Sequence, residues 1–143
     1  MKRFPVATAA VLVALSSSVA YGLVLHGSWS GMVMGKDDSK IHGMATMKEG
    51  KDNTTEVVVK LTGDTPSTTR PWHVHVGSCT KAGAPLGGGK PYSPMVGDAK
   101  GVAESKATLA LPLPDTGSYY VNIHESSTSM GKIVACGDLK ADK

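Results

Sequence analysis

The chain has 143 residues, of which 41% are hydrophobic and 19% are charged, and its formal net charge is +3. These values fit one globular domain and exclude a disordered chain or a multidomain enzyme. The charge is also too small and too mixed for a protein that binds nucleic acid, which typically presents a clustered basic face.

The N-terminus has the pattern of a secretory signal peptide, predicted over residues 1–20. A positive start precedes the uncharged apolar run Val6–Leu15, and Ser18-Val19-Ala20 is a small-x-small cleavage site. The apolar run is too short to span a membrane. We therefore expect cleavage after Ala20, or after Gly22, to leave an extracytoplasmic domain over residues 21–143, periplasmic or secreted, without a membrane span.

The rest of the chain is predicted to be all-β. The full chain holds 17 glycines and 8 prolines, which leave little room for long helices. Short runs rich in β-branched and aromatic residues recur between these turn residues. The predicted strands are Leu23–His26, Gly31–Met34, Ile41–Met47, Thr55–Thr62, Trp72–Val76, Ser105–Leu111, Tyr119–His124 and Ile133–Ala135. Eight short strands in one domain are typical of an antiparallel β-sandwich or barrel.

The long connection Gly77–Gly101 stands apart from the other loops. It is rich in glycine and proline and includes the run Gly87-Gly88-Gly89. Loops of this length inside a compact domain are usually functional or mobile. We expect this loop to serve the function, because Cys79 near its start is a candidate for covalent attachment to the last strand.

Export determines the expected chemistry of the two cysteines, Cys79 and Cys136. In an oxidising compartment, an even pair of cysteines in a small domain usually forms a disulfide. A metal–thiolate site is the alternative, but neither cysteine belongs to a CxxC pair. We therefore predict a Cys79–Cys136 disulfide.

The histidines form the clearest candidate site. His73 and His75 make a His-x-His within a predicted strand, so both imidazoles project from one face about 7 Å apart. His124 ends the strand Tyr119–His124, and three imidazoles converge if that strand lies beside Trp72–Val76. Such a set suits copper or zinc. Two histidines on a solvated sheet face are the alternative interpretation.

The methionines allow two interpretations as well. Met32 and Met34 share one strand face, His42 and Met44 share another, and thioether with imidazole favours Cu(I). The only phenylalanine is Phe4, so the mature domain has none and methionine must help to fill the core. The methionines that we therefore predict to pack in the core are Met32, Met34, Met44 and Met47.

The order of these motifs resembles the Cu/Zn superoxide dismutase family. The matching features are His-x-His in Trp72–Val76, then Cys79, His124 and Ala135-Cys136-Gly137. The resemblance extends from about Ile41 to Leu139. It implies an eight-stranded antiparallel Greek-key β-sandwich that binds one copper ion. The copper ligands it implies are His73, His75 and His124.

The sequence departs from that family where the family binds zinc. No histidine lies between His75 and His124, so the bridging histidine and the other zinc-ligand histidines are missing. Met95 stands where one of them is expected, and Asp98 is kept. A lone carboxylate does not hold zinc against water, so we predict that the zinc site is absent.

The active-site arginine of the family is also missing. Its position corresponds to Ile133, beside Lys132, while Arg70 lies in a different loop. A cation at this position guides an anionic substrate and contributes to rate. Lys132 is the candidate for a partial replacement.

A second resemblance is to the CHRD domain. It rests on Gly117–His124 together with His73 and His75. That domain has a similar sandwich topology and no established enzymatic chemistry. It does not characteristically carry the Ala-Cys-Gly motif around Cys136, so the cysteine pair favours the dismutase-like interpretation.

These resemblances imply an exported copper-binding protein and leave its activity open. A copper-only superoxide dismutase would act on superoxide, whereas a copper carrier or storage protein would exchange the metal with a donor or acceptor. A CHRD-like interaction module is the third alternative. No catalytic residue is assigned beyond the ligands. The candidates for a fourth copper ligand are Met95, Met130, His42, His26 and water.

Overall fold

The computed structural model describes residues 27–142, which contain β-strands and one short 3-10 turn, Lys51–Asn53. The strands are β1 (Ser28–Gly35), β2 (His42–Glu49), β3 (Thr55–Thr62), β4 (Thr69–Arg70), β5 (Trp72–Val76), β6 (Met95–Val96), β7 (Ala103–Leu109), β8 (Tyr119–Ser126) and β9 (Ser129–Asp142). The prediction of an all-β domain is confirmed. The predicted signal peptide, the predicted strand Leu23–His26 and the ligand candidate His26 lie outside the described residues. Between residues 27 and 142, no helix is long and apolar enough to cross a membrane.

Seven strands form one antiparallel sheet in the order β5-β8-β9-β1-β2-β3-β7, and β4 pairs with β6 separately. The long strand β9 holds the sheet together, because it pairs with β8 on one side and with β1 on the other. At one end of the sheet, β5 pairs with β8. This pairing is the condition under which the three histidines were expected to converge. The Greek-key connectivity implied by the resemblance stays a prediction.

The hydrophobic core lies under one face of the sheet and follows strand alternation. In β3, Val57, Val59 and Leu61 are buried while Lys60 is exposed. The largest fully buried side chains are Trp72, Tyr120, Met47 and Met95. Methionine therefore fills core space at two positions, as expected for a domain without phenylalanine.

Three of the predicted core methionines are instead on the surface. Met32, Met34 and Met44 are 57%, 55% and 49% exposed, whereas Met47 is fully buried. The prediction of packing is therefore right for Met47 and wrong for the other three. Alternation is the physical reason, since Val33 takes the inward position between Met32 and Met34.

The bounds of five predicted strands need correction, and those of β1, β2 and β8 differ by one to three residues at one or both ends. Ile133–Ala135 is only the centre of β9, which extends along both of its neighbours. The strand predicted at Ser105–Leu111 begins earlier, at Ala103, and ends at Leu109. The short strands β4 and β6 were not predicted, because two-residue strands have no detectable periodicity.

The predicted disulfide is present and joins Cys79 to Cys136 across a sequence separation of 57 residues. It ties the start of the long loop to the middle of β9. Closing a loop of this length in the unfolded chain contributes about 4 kcal/mol in the chain-entropy treatment. The backbone N–H of Cys79 also donates to Asp138 Oδ1 at 2.7 Å, which anchors the same corner of the loop.

Candidate metal centre

The pairing of β5 with β8 places two histidines on the outer face of the sheet. His73 lies opposite Asn122 and His75 lies opposite Tyr120. Their neighbours Trp72 and Val74 are fully buried in the core on the other face. The His-x-His spacing therefore presents both imidazoles on the same side of β5, as predicted.

The third histidine, His124, lies beside a β-bulge. Ile123 pairs with Ala135 but His124 pairs with Ile133, so Val134 is an extra residue on β9. Bulges of this kind redirect the neighbouring side chain and are frequent beside functional sites. The His124 backbone N–H donates to the Pro71 carbonyl at 2.9 Å, which fixes this end of β8 against the chain just before β5.

The three imidazoles meet at one point. One ring nitrogen from each of His73, His75 and His124 lies within 4.8 Å of the others, and this group of residues can hold a metal ion. Metal–nitrogen bonds of about 2.0 Å need nitrogens that are no more than about 4 Å apart, so small side-chain rotations suffice. The predicted convergence of the three histidines is therefore confirmed, and the identity of a metal is not fixed by this geometry.

Two backbone carbonyls determine which nitrogens face the centre. His75 Nδ1 lies 2.8 Å from the Gly83 carbonyl oxygen, and His124 Nδ1 lies 2.6 Å from that of Met130. A carbonyl only accepts hydrogen bonds, so each Nδ1 carries the proton and each Nε2 keeps its lone pair. His75 Nε2 is buried and has no hydrogen-bond partner among the described residues. A buried, unpartnered lone pair on a histidine that clusters with two other imidazoles fits a metal ligand.

His73 completes the set of three imidazoles. Its Nδ1 lies 3.1 Å from His124 Nε2. Because His124 Nε2 holds a lone pair, His73 Nδ1 donates this hydrogen bond in the metal-free protein. Metal binding at these two atoms would require His73 to carry its proton on Nε2 instead, because a neutral imidazole ligand keeps one N–H.

Two tyrosines that the sequence did not single out as site residues support the histidines. The Tyr120 ring stacks on His75 with centroids 5.2 Å apart, and the Tyr92 ring meets His73 edge-on, also at 5.2 Å. Tyr92 is held in place by a hydrogen bond of 2.7 Å from its hydroxyl to the Leu86 carbonyl. Tyr92 and Gly83 both belong to the long loop, so this loop contacts the histidine cluster, and its role in function stays a prediction.

Burial keeps two of the imidazoles neutral. Burial first, and then the neighbouring His124 and His75, lower the pKa of His73 from 6.5 to about 4. Burial also lowers the pKa of His124, although its hydrogen bond to the Met130 carbonyl opposes that shift. Both rings are therefore uncharged at neutral pH, which is the form that binds metals.

The lowered pKa of His73 predicts an acid-sensitive metal-free domain. In the unfolded chain, His73 is protonated as the pH falls below about 6.5. In the folded protein it is protonated only near pH 4, so acid favours the unfolded state between these values. The free energy of unfolding should therefore decrease with acidification across this window. We expect urea unfolding of the metal-free His73→Gln variant to vary less with pH in this range. Equal pH dependence in the two proteins would contradict the burial of a neutral His73.

The other candidate ligands have different environments. Met95 is 1% exposed and belongs to the core cluster. Met130 contributes its carbonyl to His124, while its side chain is 38% exposed. His42 lies on β2, separated from β8 by β9 and β1 in the sheet. Asp98, the retained residue of the zinc motif, accepts hydrogen bonds from the backbone N–H groups of Lys100 and Val102 and so stabilises a turn.

The basic residues considered for guiding an anion are both engaged. Arg70 donates from Nε and Nη2 to the two carboxylate oxygens of Asp64 at 2.9 and 2.7 Å, and from Nη1 to the Glu125 carbonyl at 2.7 Å. This ion pair is mostly buried, with side chains 13% and 4% exposed. Lys132 pairs with the Glu125 carboxylate at the surface. Arg70 therefore stabilises the backbone next to His124, and its charge is neutralised by Asp64 and not available to guide an anion.

Comparison with known proteins adds no assignment. A scan of the chain against protein-family models found no match, and no curated protein matches its sequence. The resemblances to the dismutase family and to the CHRD domain therefore stay predictions that rest on the motifs themselves.

Proposed function

We propose that this is an exported copper protein in which His73, His75 and His124 hold one copper ion that exchanges single electrons with superoxide. The observation that carries the proposal is the buried, unpartnered His75 Nε2 on a residue that clusters with two further imidazoles. Three nitrogen ligands suit both oxidation states of copper. The disulfide is consistent with an oxidising compartment.

The residues around the site would keep the ligands in position. The carbonyls of Gly83 and Met130 fix the tautomers of His75 and His124, so their Nε2 lone pairs need no rearrangement before binding. His73 is half-buried. Bound copper would supply the one-electron couple that superoxide dismutation requires. The His73 proton would be carried on Nε2 instead of Nδ1, so that the ring stays neutral and the contact between Nδ1 and His124 Nε2 is free for the ion.

The charge distribution predicts a dismutase with little electrostatic guidance. Arg70 is neutralised by Asp64, and Lys132 is paired with Glu125. Rate enhancement by steering depends on unpaired charge around a site and falls steeply with ionic strength. We therefore expect catalysis below the diffusion limit, with a rate constant that changes little when salt is added.

The test is the decay of superoxide in the presence of the copper-loaded protein at several ionic strengths. We expect catalytic decay that survives an excess of chelator, since free copper is then removed. His73→Gly protein treated in the same way should lose this activity. A loaded protein that retains its copper but does not accelerate decay would overturn the dismutase proposal and favour the alternative of a copper carrier.

A further inference from the structure

A second group of metal-binding side chains lies on the outer face of β1 and β2. In the register of these strands, Met32 lies opposite Met44 and Met34 lies opposite His42. All four side chains are exposed. We call this group the thioether patch, and its members are Met32, Met34, Met44 and His42.

Core packing does not explain the thioether patch. The inward positions of the two strands are occupied by Val33 and Ala45, which are fully buried. On the neighbouring strand β3, the outward positions include Lys60 and Thr62, the polar residues usual on a solvated sheet face. Three thioethers on this face are therefore exposed without a structural need for them.

The imidazole of the thioether patch is already oriented by the backbone. His42 Nδ1 lies 3.0 Å from the Lys40 carbonyl oxygen, so Nδ1 carries the proton and donates to it. The lone pair of Nε2 is then available to a metal. This is the same arrangement of carbonyl and imidazole that orients His75 and His124 in the first site.

The spacing lets all four side chains reach one ion. Residues directly opposite in an antiparallel pair have Cβ atoms about 5 Å apart, and residues two apart along a strand lie about 7 Å apart. Flexible methionine side chains at the corners of such a rectangle can converge above its centre. Lys60 lies opposite Met44 on β3, and its charge is balanced by Glu104 at 3.2 Å.

We propose that the thioether patch binds one monovalent copper ion. Thioethers are soft ligands that select Cu(I), and the group offers one imidazole and no carboxylate. The patch is separate from the three-histidine site but shares its sheet face. Cross-strand pairs connect the two sites in one row: His73, Asn122, Cys136, Met34 and His42. Three strand spacings separate His73 from Met34, about 14 Å along the sheet, so one ion cannot occupy both sites.

The test uses Ag(I) as a redox-inert probe of Cu(I) sites, with the full chain carrying 13C-labelled methionine methyl groups. We expect the methyl resonances of Met32, Met34 and Met44 to shift together and to saturate with one bound ion. Met47 and Met95 are buried and serve as internal controls that should not move. The triple variant Met32→Leu, Met34→Leu, Met44→Leu should bind one Ag(I) fewer than the wild type.

Three results would overturn this proposal. The first is a titration in which the three methyl resonances stay in place. The second is an unchanged number of bound Ag(I) ions in the triple variant. The third is a dependence of these resonances on protein concentration without metal, which would identify the patch as an interface between copies. Loading the triple variant with Cu(II) tests the three-histidine site separately, so failure at one site is distinguishable from failure at the other.

Discussion

Replacing Arg70 with leucine should lower the free energy of unfolding by about 3–5 kcal/mol, because it leaves the buried carboxylate of Asp64 without its partner. Asp64 is 4% exposed and receives two of its hydrogen bonds from Arg70. The change also removes the 2.7 Å hydrogen bond to the Glu125 carbonyl, next to His124. Urea unfolding of the metal-free variant and wild type measures the effect.

Two variants test whether the effect arises from a buried charge. Replacing both Arg70 and Asp64 with leucine should recover more than half of the loss, because no unpaired charge then remains. Lys48→Ala removes an ion pair with Glu56 whose side chains are 60% and 43% exposed, and it should cost less than about 1 kcal/mol. A double variant as unstable as Arg70→Leu would show that the guanidinium packing, not the charge, stabilises this corner.

Because Asp64 is ionised, the loss of stability in Arg70→Leu should depend on pH. Burial raises the pKa of Asp64, but hydrogen bonds from Arg70, Thr68 and Thr65 more than offset it, so the pKa is lowered overall. Without Arg70 the carboxylate would protonate more readily. The difference in stability between Arg70→Leu and wild type should therefore shrink as the pH is lowered.

Removing one imidazole should weaken copper binding by more than about 100-fold, since changes to residues that only support a ligand already cost up to that much. His73→Gly is the most informative variant. Because His73 is half-buried, removing its side chain leaves a space that added imidazole can reach from solvent. Competition with a chromophoric chelator measures the affinity of each protein for copper.

Added imidazole provides the control for this experiment. If His73→Gly loses copper only because a ligand is missing, free imidazole should restore binding in the variant without changing that of the wild type. His75 and His124 remain positioned by the carbonyls of Gly83 and Met130. Wild-type affinity in His73→Gly without imidazole would exclude His73 as a ligand.

The sequence was sufficient for the features that depend on local pattern. Alternation identified β3 and β5 with their bounds, and the His-x-His spacing placed His73 and His75 on one face. The disulfide followed from cysteine number and predicted export. These properties depend on the geometry of residues that are close in sequence, so the order of residue types is enough to predict them.

Features that depend on neighbours distant in sequence were not accessible in the same way. Tyr92 and the carbonyl of Gly83 reach the histidines only because the long loop folds back along β5. Met130 was considered for its thioether, whereas its backbone carbonyl orients His124. Every residue has a backbone carbonyl, so the type of residue does not show which carbonyl will accept a hydrogen bond from a histidine.

The methionines illustrate how composition can mislead. The absence of phenylalanine between residues 27 and 142 correctly predicted methionine in the core, and Met47 and Met95 supply it. The same reasoning failed for Met32, because composition does not tell which face of a strand is buried. Once the register of β1 and β2 is known, the exposed methionines become a candidate site instead of core residues.

The most direct test of the proposed copper site is to count its nitrogen ligands. The full chain, grown with 15N-labelled histidine and loaded with one equivalent of Cu(II), should give an electron paramagnetic resonance spectrum with superhyperfine splitting from three imidazole nitrogens. The His124→Ala variant should show two. A spectrum of the wild type with fewer than three histidine nitrogens, or one unchanged in the variant, would contradict a site built from His73, His75 and His124.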